Sequence, residues 1–103
     1  SNADDLVTVT ITHTVTELGE HAFAYNNELT TVTFDETNGT CGIETIQTGT
    51  FRDSVKLVMA TLPESVKVIE DYVFYNCIAN PSFTVQNTVT SIGNKCFMNF
   101  IFI

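Results

Sequence analysis

Apolar residues recur along this chain in fixed columns rather than in one helical stripe. With each copy anchored on a phenylalanine, Phe23, Phe51, Phe74 and Phe97 lie 28, 23 and 23 residues apart. Five positions before each stands Leu18, Ile46, Ile69 or Ile92, and three further back Val15, Ile43, Val66 or Val89. Three columns kept across four copies are the self-similarity of a solenoid. Downstream, Leu29, Val32 and Phe34 follow Phe23 by 6, 9 and 11 residues, and Leu57, Ala60 and Leu62 hold the same offsets from Phe51. The third copy supplies Asn80, Phe83 and Val85, a departure at its first position, while Leu6, Val9 and Ile11 make the N-terminus a partial copy.

Alternation in "LTTVTF" and "FTV" has the period of a half-buried strand. The linking segments "GEHAF", "QTGTF", "EDYVF" and "GNKCF" are short and mixed, and are read as a helical or 3₁₀ turn that points the Phe inward. No copy can bury its own apolar residues. Stacking copies about 4.7–4.9 Å apart turns each column into a continuous core. The surplus of the long interval falls in "DETNGTCG", where Asn38-Gly39 signals a turn, so one copy carries an inserted loop.

Composition narrows the classes. A chain of 103 residues with 44% hydrophobic and 16% charged residues suits one small folded domain. Ser1-Asn2-Ala3 matches the scar of tag cleavage and is set aside, leaving 4–103 as a single repeat domain. Four Lys+Arg against twelve Asp+Glu give a net charge of -8, which argues against nucleic acid as a partner. No stretch reaches the roughly 18 consecutive apolar residues of a membrane helix, so membrane insertion is not expected. The cysteines Cys41, Cys77 and Cys96 are odd in number and form no Cys-x-x-Cys pair, so neither a disulfide framework nor a thiolate metal site is expected.

The repeated stretches "VTELGEHAF…LTTVTF", "LPESVKVIEDYVFYNC" and "VTSIGNKCF" resemble the BspA-type leucine-rich repeats of bacterial surface proteins, over nearly all of residues 6–103. The resemblance implies a right-handed leucine-rich-repeat solenoid, β-rich with a parallel sheet on one face. It also implies secreted or cell-surface placement and binding to host proteins or other cells. Only Leu62-Pro63 keeps the family's proline after the strand, only Cys77 keeps its cysteine, and Asn80-Pro81 replaces a leucine. The family brings no catalytic residues to this chain.

In the strand phase above, outward side chains form two rows: Thr10, Thr33, Thr61 and Thr84, and Thr8, Thr31, Met59 and Ser82. Hydroxyl rows suit a peptide or a glycan, although threonine is also simply a good residue for a solvated strand face. In the insertion, Asp35, Glu36 and Asn38 carry oxygens but match no calcium-loop spacing. Cys41 falls at the corner occupied by His13 one copy earlier, yet no third group orients such a pair, and no catalysis is expected. His13 and His21 make no metal site, and no cofactor is expected. Cys96 and Cys77 are read as small packing side chains. The apolar ending "FIFI", Phe100, Ile101, Phe102 and Ile103, is a candidate for self-association or for a folded cap. The expected function is a non-enzymatic surface recognition module, with a structural spacer or self-assembly unit as the alternative.

Overall fold

A computed structural model describes residues 7–79 and 86–99. Six strands run in chain order: β1 (Val7–Thr12), β2 (Leu29–Asp35), β3 (Thr45–Ile46), β4 (Met59–Ala60), β5 (Val68–Ile69) and β6 (Ser91–Ile92). The described residues contain no helix. The strands form two three-stranded sheets, β1-β2-β4 and β3-β5-β6, in which every pair is parallel.

The register follows the repeat. Val9 faces Val32 and Ile11 faces Phe34 across β1 and β2, and Val32 faces Ala60 across β2 and β4. In the second sheet Ile46, Ile69 and Ile92 stand side by side. The offsets 6 and 9 differ in parity, which strict alternation cannot deliver. A register shift at Val7/Thr8 resolves this: Thr30 is the extra residue of β2, buried, with its hydroxyl donating to the Val7 carbonyl at 3.1 Å.

The anchoring phenylalanines stack face to face. Ring centroids are 5.9 Å apart for Phe23 and Phe51, 5.4 Å for Phe51 and Phe74, and 5.8 Å for Phe74 and Phe97. Around them Ile43, Ile46, Leu57, Ala60, Val66, Ile69 and Val73 are fully buried. The few polar groups that accompany them are bonded: Thr50 Oγ1 donates to the Gln47 carbonyl (2.7 Å) and Ser54 Oγ to that of Phe23 (2.7 Å).

The segments around each Phe are not helical or 3₁₀ turns, as the sequence suggests, but runs of β-turns. Residues two before and two after each Phe sit in the left-handed region: His21 and Tyr25, Gly49 and Asp53, Tyr72 and Asn76, Lys95 and Asn99. That alternation breaks any helical path. It also frees alternate amides to reach the next copy. His21, Phe23 and Tyr25 donate to the carbonyls of Thr48, Thr50 and Arg52, at 2.7–3.0 Å. Gly49, Phe51 and Asp53 repeat the pattern onto Asp71, Val73 and Tyr75, and Tyr72, Phe74 and Asn76 onto Asn94, Cys96 and Met98. A helix would keep those amides within its own segment; here they join copy to copy.

Candidate recognition surfaces

Two surfaces carry side chains able to meet a partner. The first is the outer face of the β1-β2-β4 sheet. Its register aligns Thr8 with Thr31 and Met59, and Thr10 with Thr33. Thr8, Thr10, Thr33 and Thr61 are exposed, and Thr31 is half-buried. Thr61 follows the last residue of β4. Between these outward threonines, Val9, Ile11 and Val32 turn toward the core, so the period-two pattern of the strands is what presents the hydroxyls. Ser82 and Thr84, which continue the two rows in sequence, lie outside the described residues, as do Phe83 and Val85 and the tail Phe100, Ile101, Phe102 and Ile103.

The second surface lies on the turn corner and escapes the sequence reading. Arg52 sits among three tyrosines, its guanidinium carbon 5.8 Å from the Tyr25 ring centroid, 5.0 Å from Tyr72 and 4.9 Å from Tyr75. Its Nε donates to Asp53 Oδ2 at 3.1 Å, and this bond is the main cause holding the guanidinium's pKa above its ordinary value. Asp53 Oδ1 also accepts from Asn76 Nδ2 at 2.7 Å. Lys95 lies 5.9 Å from the Tyr72 ring, and His21 stacks beside Tyr25 at 6.3 Å. The signal was present in columns flanking the Phe: His21, Tyr72 and Lys95 two before it, Arg52 and Tyr75 one after it, Tyr25 two after it.

The inserted loop is closed by its own acids. Asp35 Oδ1 accepts from the Thr37 amide (3.0 Å) and hydroxyl (2.8 Å), and these bonds, the amide first, hold its pKa below the ordinary value. Glu36 Oε2 accepts from the Cys41 amide at 2.7 Å. Among the described residues no group of three or more His, Cys, Asp or Glu is placed to hold a metal ion. The loop rests on His13: a Cβ at Gly39 would come within 2.6 Å of that ring. Cys41 instead turns into the core, buried, with Sγ directed at the Val15 carbonyl 3.9 Å away. Cys77 and Cys96 are buried as well, and their thiols donate to the carbonyls of Phe51 (3.0 Å) and Glu70 (2.8 Å). Burial pushes the Cys77 thiol up to about 12 and raises Cys96, the opposite of what a nucleophilic thiol needs.

Acidic side chains border the second sheet. A shallow cleft of about 360 Å³ is lined by Glu20, Thr48, Glu70, Asp71 and Ser91 among others. Glu70 there accepts from the Thr48 amide (3.0 Å) and Asp71 from the Asn94 amide (2.7 Å), so these carboxylates tie one copy to the next.

Parallel ladders, copies in fixed register and leucine-type apolar columns define a leucine-rich repeat protein. The family described as BspA type leucine rich repeat region matches residues 1–103 in six copies, and the chain belongs to it. Such repeats serve generally as protein-interaction or surface modules, and this family is generally found on bacterial cell surfaces. Comparison with curated proteins and with solved structures gives no match. No helix among the described residues is long and apolar enough to cross a membrane.

Proposed function

We propose that the chain is a non-enzymatic recognition module at a bacterial cell surface. In this reading its copies close into a right-handed solenoid that offers the threonine face of the β1-β2-β4 sheet to a protein or a glycan. The carrying observation is the in-register exposure of Thr8, Thr10 and Thr33 on an open parallel sheet in a chain of this family. Such faces present rows of donors and acceptors at a spacing that backbone pairing fixes, which is how solenoids build extended binding surfaces. Partner chemistry follows the charge: a net -8 favours neutral or cationic protein surfaces and glycans over nucleic acid.

The test is a screen on immobilised glycans and extracellular-matrix proteins with the intact chain and with a Thr33→Lys/Thr61→Lys variant. Both side chains point to solvent, so the variant keeps its melting temperature. A ligand of this face is expected to lose affinity by roughly tenfold or more, because two long cations intrude on its hydrogen bonds. Unchanged binding by the variant rejects the assignment of this face.

A second reading has its own observation. Ile92 on β6 is 45% exposed, whereas its column neighbours Ile46 and Ile69 are fully buried. An apolar strand end of this kind favours a spacer or self-assembly unit that stacks end to end. A chain that binds nothing in the screen, yet scatters light as a species larger than the monomer, supports this reading over the first.

A further inference from the structure

The turn corner has a chemistry that the threonine face lacks. Arg52 is held by three aromatic rings and by Asp53 through Nε, while its two Nη groups make no hydrogen bond among the described residues. A guanidinium fixed along one edge and open along the other presents a planar fork, the geometry that takes a carboxylate through two parallel bonds. Lys95 adds a second cation against Tyr72. The site therefore gathers two of the four basic residues of a strongly acidic chain. Asp53 pairs with Arg52 through Nε and offsets part of its charge, so the Arg52 Nη edge supplies the fork while Lys95 supplies the surplus positive charge. More distant acids are screened beyond about 8 Å at physiological salt.

Beside this fork Tyr25 is 59% exposed, and the His21 ring lies nearly parallel to it, at 16°. The exposed Tyr25 ring, with His21 stacked on it, thus offers an aromatic platform next to a fixed cation. A peptide carboxylate would use the fork and leave the platform empty, and a neutral sugar would do the reverse. A pyranose that carries a carboxylate uses both, with its C–H face on Tyr25 and its anion on Arg52. We propose that this corner is a second binding site, separate from the threonine face, for a carboxylated sugar: a uronic or sialic acid residue of an acidic glycan.

The experiment follows backbone amide shifts of the isotope-labelled full chain during titration with four probes: methyl glucuronide, the methyl glycoside of N-acetylneuraminic acid, methyl glucoside and oligoglutamate. Saturable shifts at Tyr25, Arg52 and Tyr72 with one of the acidic sugars are expected, and which sugar produces them separates uronic from sialic acid. The neutral glucoside is expected to bind roughly tenfold more weakly or worse, the cost of losing a charge-assisted pair. Arg52→Lys keeps the charge without the fork, and Tyr25→Ala removes the platform; each is expected to weaken binding by about tenfold. Thr33→Lys leaves it unchanged, which separates this site from the threonine face. Because Arg52 also supports its neighbours, Lys95→Gln, an exposed position, provides a variant that keeps the fold, with a several-fold loss expected. The proposal is overturned by equal binding of the glucoside, by oligoglutamate binding as tightly at Arg52, by no shift at these residues with either acidic sugar, or by full affinity in both Tyr25→Ala and Lys95→Gln.

Discussion

The inner and outer copies of the repeat carry the same residue types at the same offsets and live in different environments. Phe51 and Phe74, with Ile43, Ile46, Val66 and Ile69 around them, are fully buried. Phe23 and Phe97 stack on them at 5.9 and 5.8 Å, nearly the inner spacing of 5.4 Å, yet are only partly buried, as are Val15 and Val89. Geometry is therefore set by the local motif and the ladder between copies, whereas burial is set by having a copy on either side. Stability in such an arrangement resides in the contacts between neighbours more than in any one copy.

The sharpest way to break this comparison is to truncate the same side chain in two copies. Phe74→Ala is expected to cost about 3–5 kcal/mol, the range for a fully enclosed aromatic that leaves a cavity. Phe23→Ala, at the partly exposed end, is expected to cost about half as much, because less apolar area returns to water and the space can collapse. Urea unfolding of both variants, compared at equal slope, checks the ratio. Equal losses would mean that enclosure by neighbours does not control the energetics.

That distinction also marks how far the sequence could be read. The columns Ile46/Ile69/Ile92 and Phe23/Phe51/Phe74/Phe97 are found where the period places them, because stacking forces equivalent positions into contact. The outward phase of Thr8, Thr10 and Thr33 was legible for the same reason. The turn corner was not. Asp53, Asn76 and Asn99 hint at left-handed backbone, since Asp and Asn tolerate it, but His21, Tyr72 and Lys95 give no such sign. At His21 and Tyr72 this conformation accompanies an amide that bonds to the following copy. The Tyr25–Arg52–Tyr72–Tyr75 cluster was hidden because its members occupy three different columns spread over three copies, and column-by-column reading separates them. The bulge at Thr30 needed the register itself, although the odd step from Leu29 to Val32 was visible.

A smaller effect probes how an inner copy accommodates an outer one. Gly49 has φ +67° in the column where the other copies place His21, Tyr72 and Lys95, also at positive φ. Left-handed backbone is thus tolerated by side chains here. What singles out position 49 is the His21 ring, whose Cδ2 and Nε2 occupy the space a Cβ would need. Gly49→Ala is expected to destabilise the chain by about 1–2 kcal/mol, part of it backbone strain and part steric. In a His21→Ala background the steric part should vanish, giving a coupling of about 1 kcal/mol in a double-mutant cycle of thermal melts. Strict additivity would show that the ring moves aside at no cost.

The smallest expected effect concerns an inner position where one copy uses a hydroxyl and the next a thiol. Ser54 Oγ donates to the Phe23 carbonyl at 2.7 Å, and Cys77 Sγ donates to the Phe51 carbonyl at 3.0 Å, both buried and both three residues after a Phe. Cys77→Ser keeps the bond and should change stability by no more than about 1 kcal/mol at pH 7. Alkaline pH separates the two side chains. Burial lifts the Cys77 thiol from 9.0 to about 12, so between those values the folded chain holds a proton that the unfolded chain has released. Stability carried by this group is intact below pH 9 and falls as pH rises toward 12. Serine does not titrate there, so Cys77→Ser should show a shallower loss between pH 9 and 10.5 in urea melts, with a residual slope from Cys96, whose pKa is raised in the same direction. Superimposable slopes for the two proteins would place the Cys77 thiol in contact with solvent, and with it the centre of the buried column.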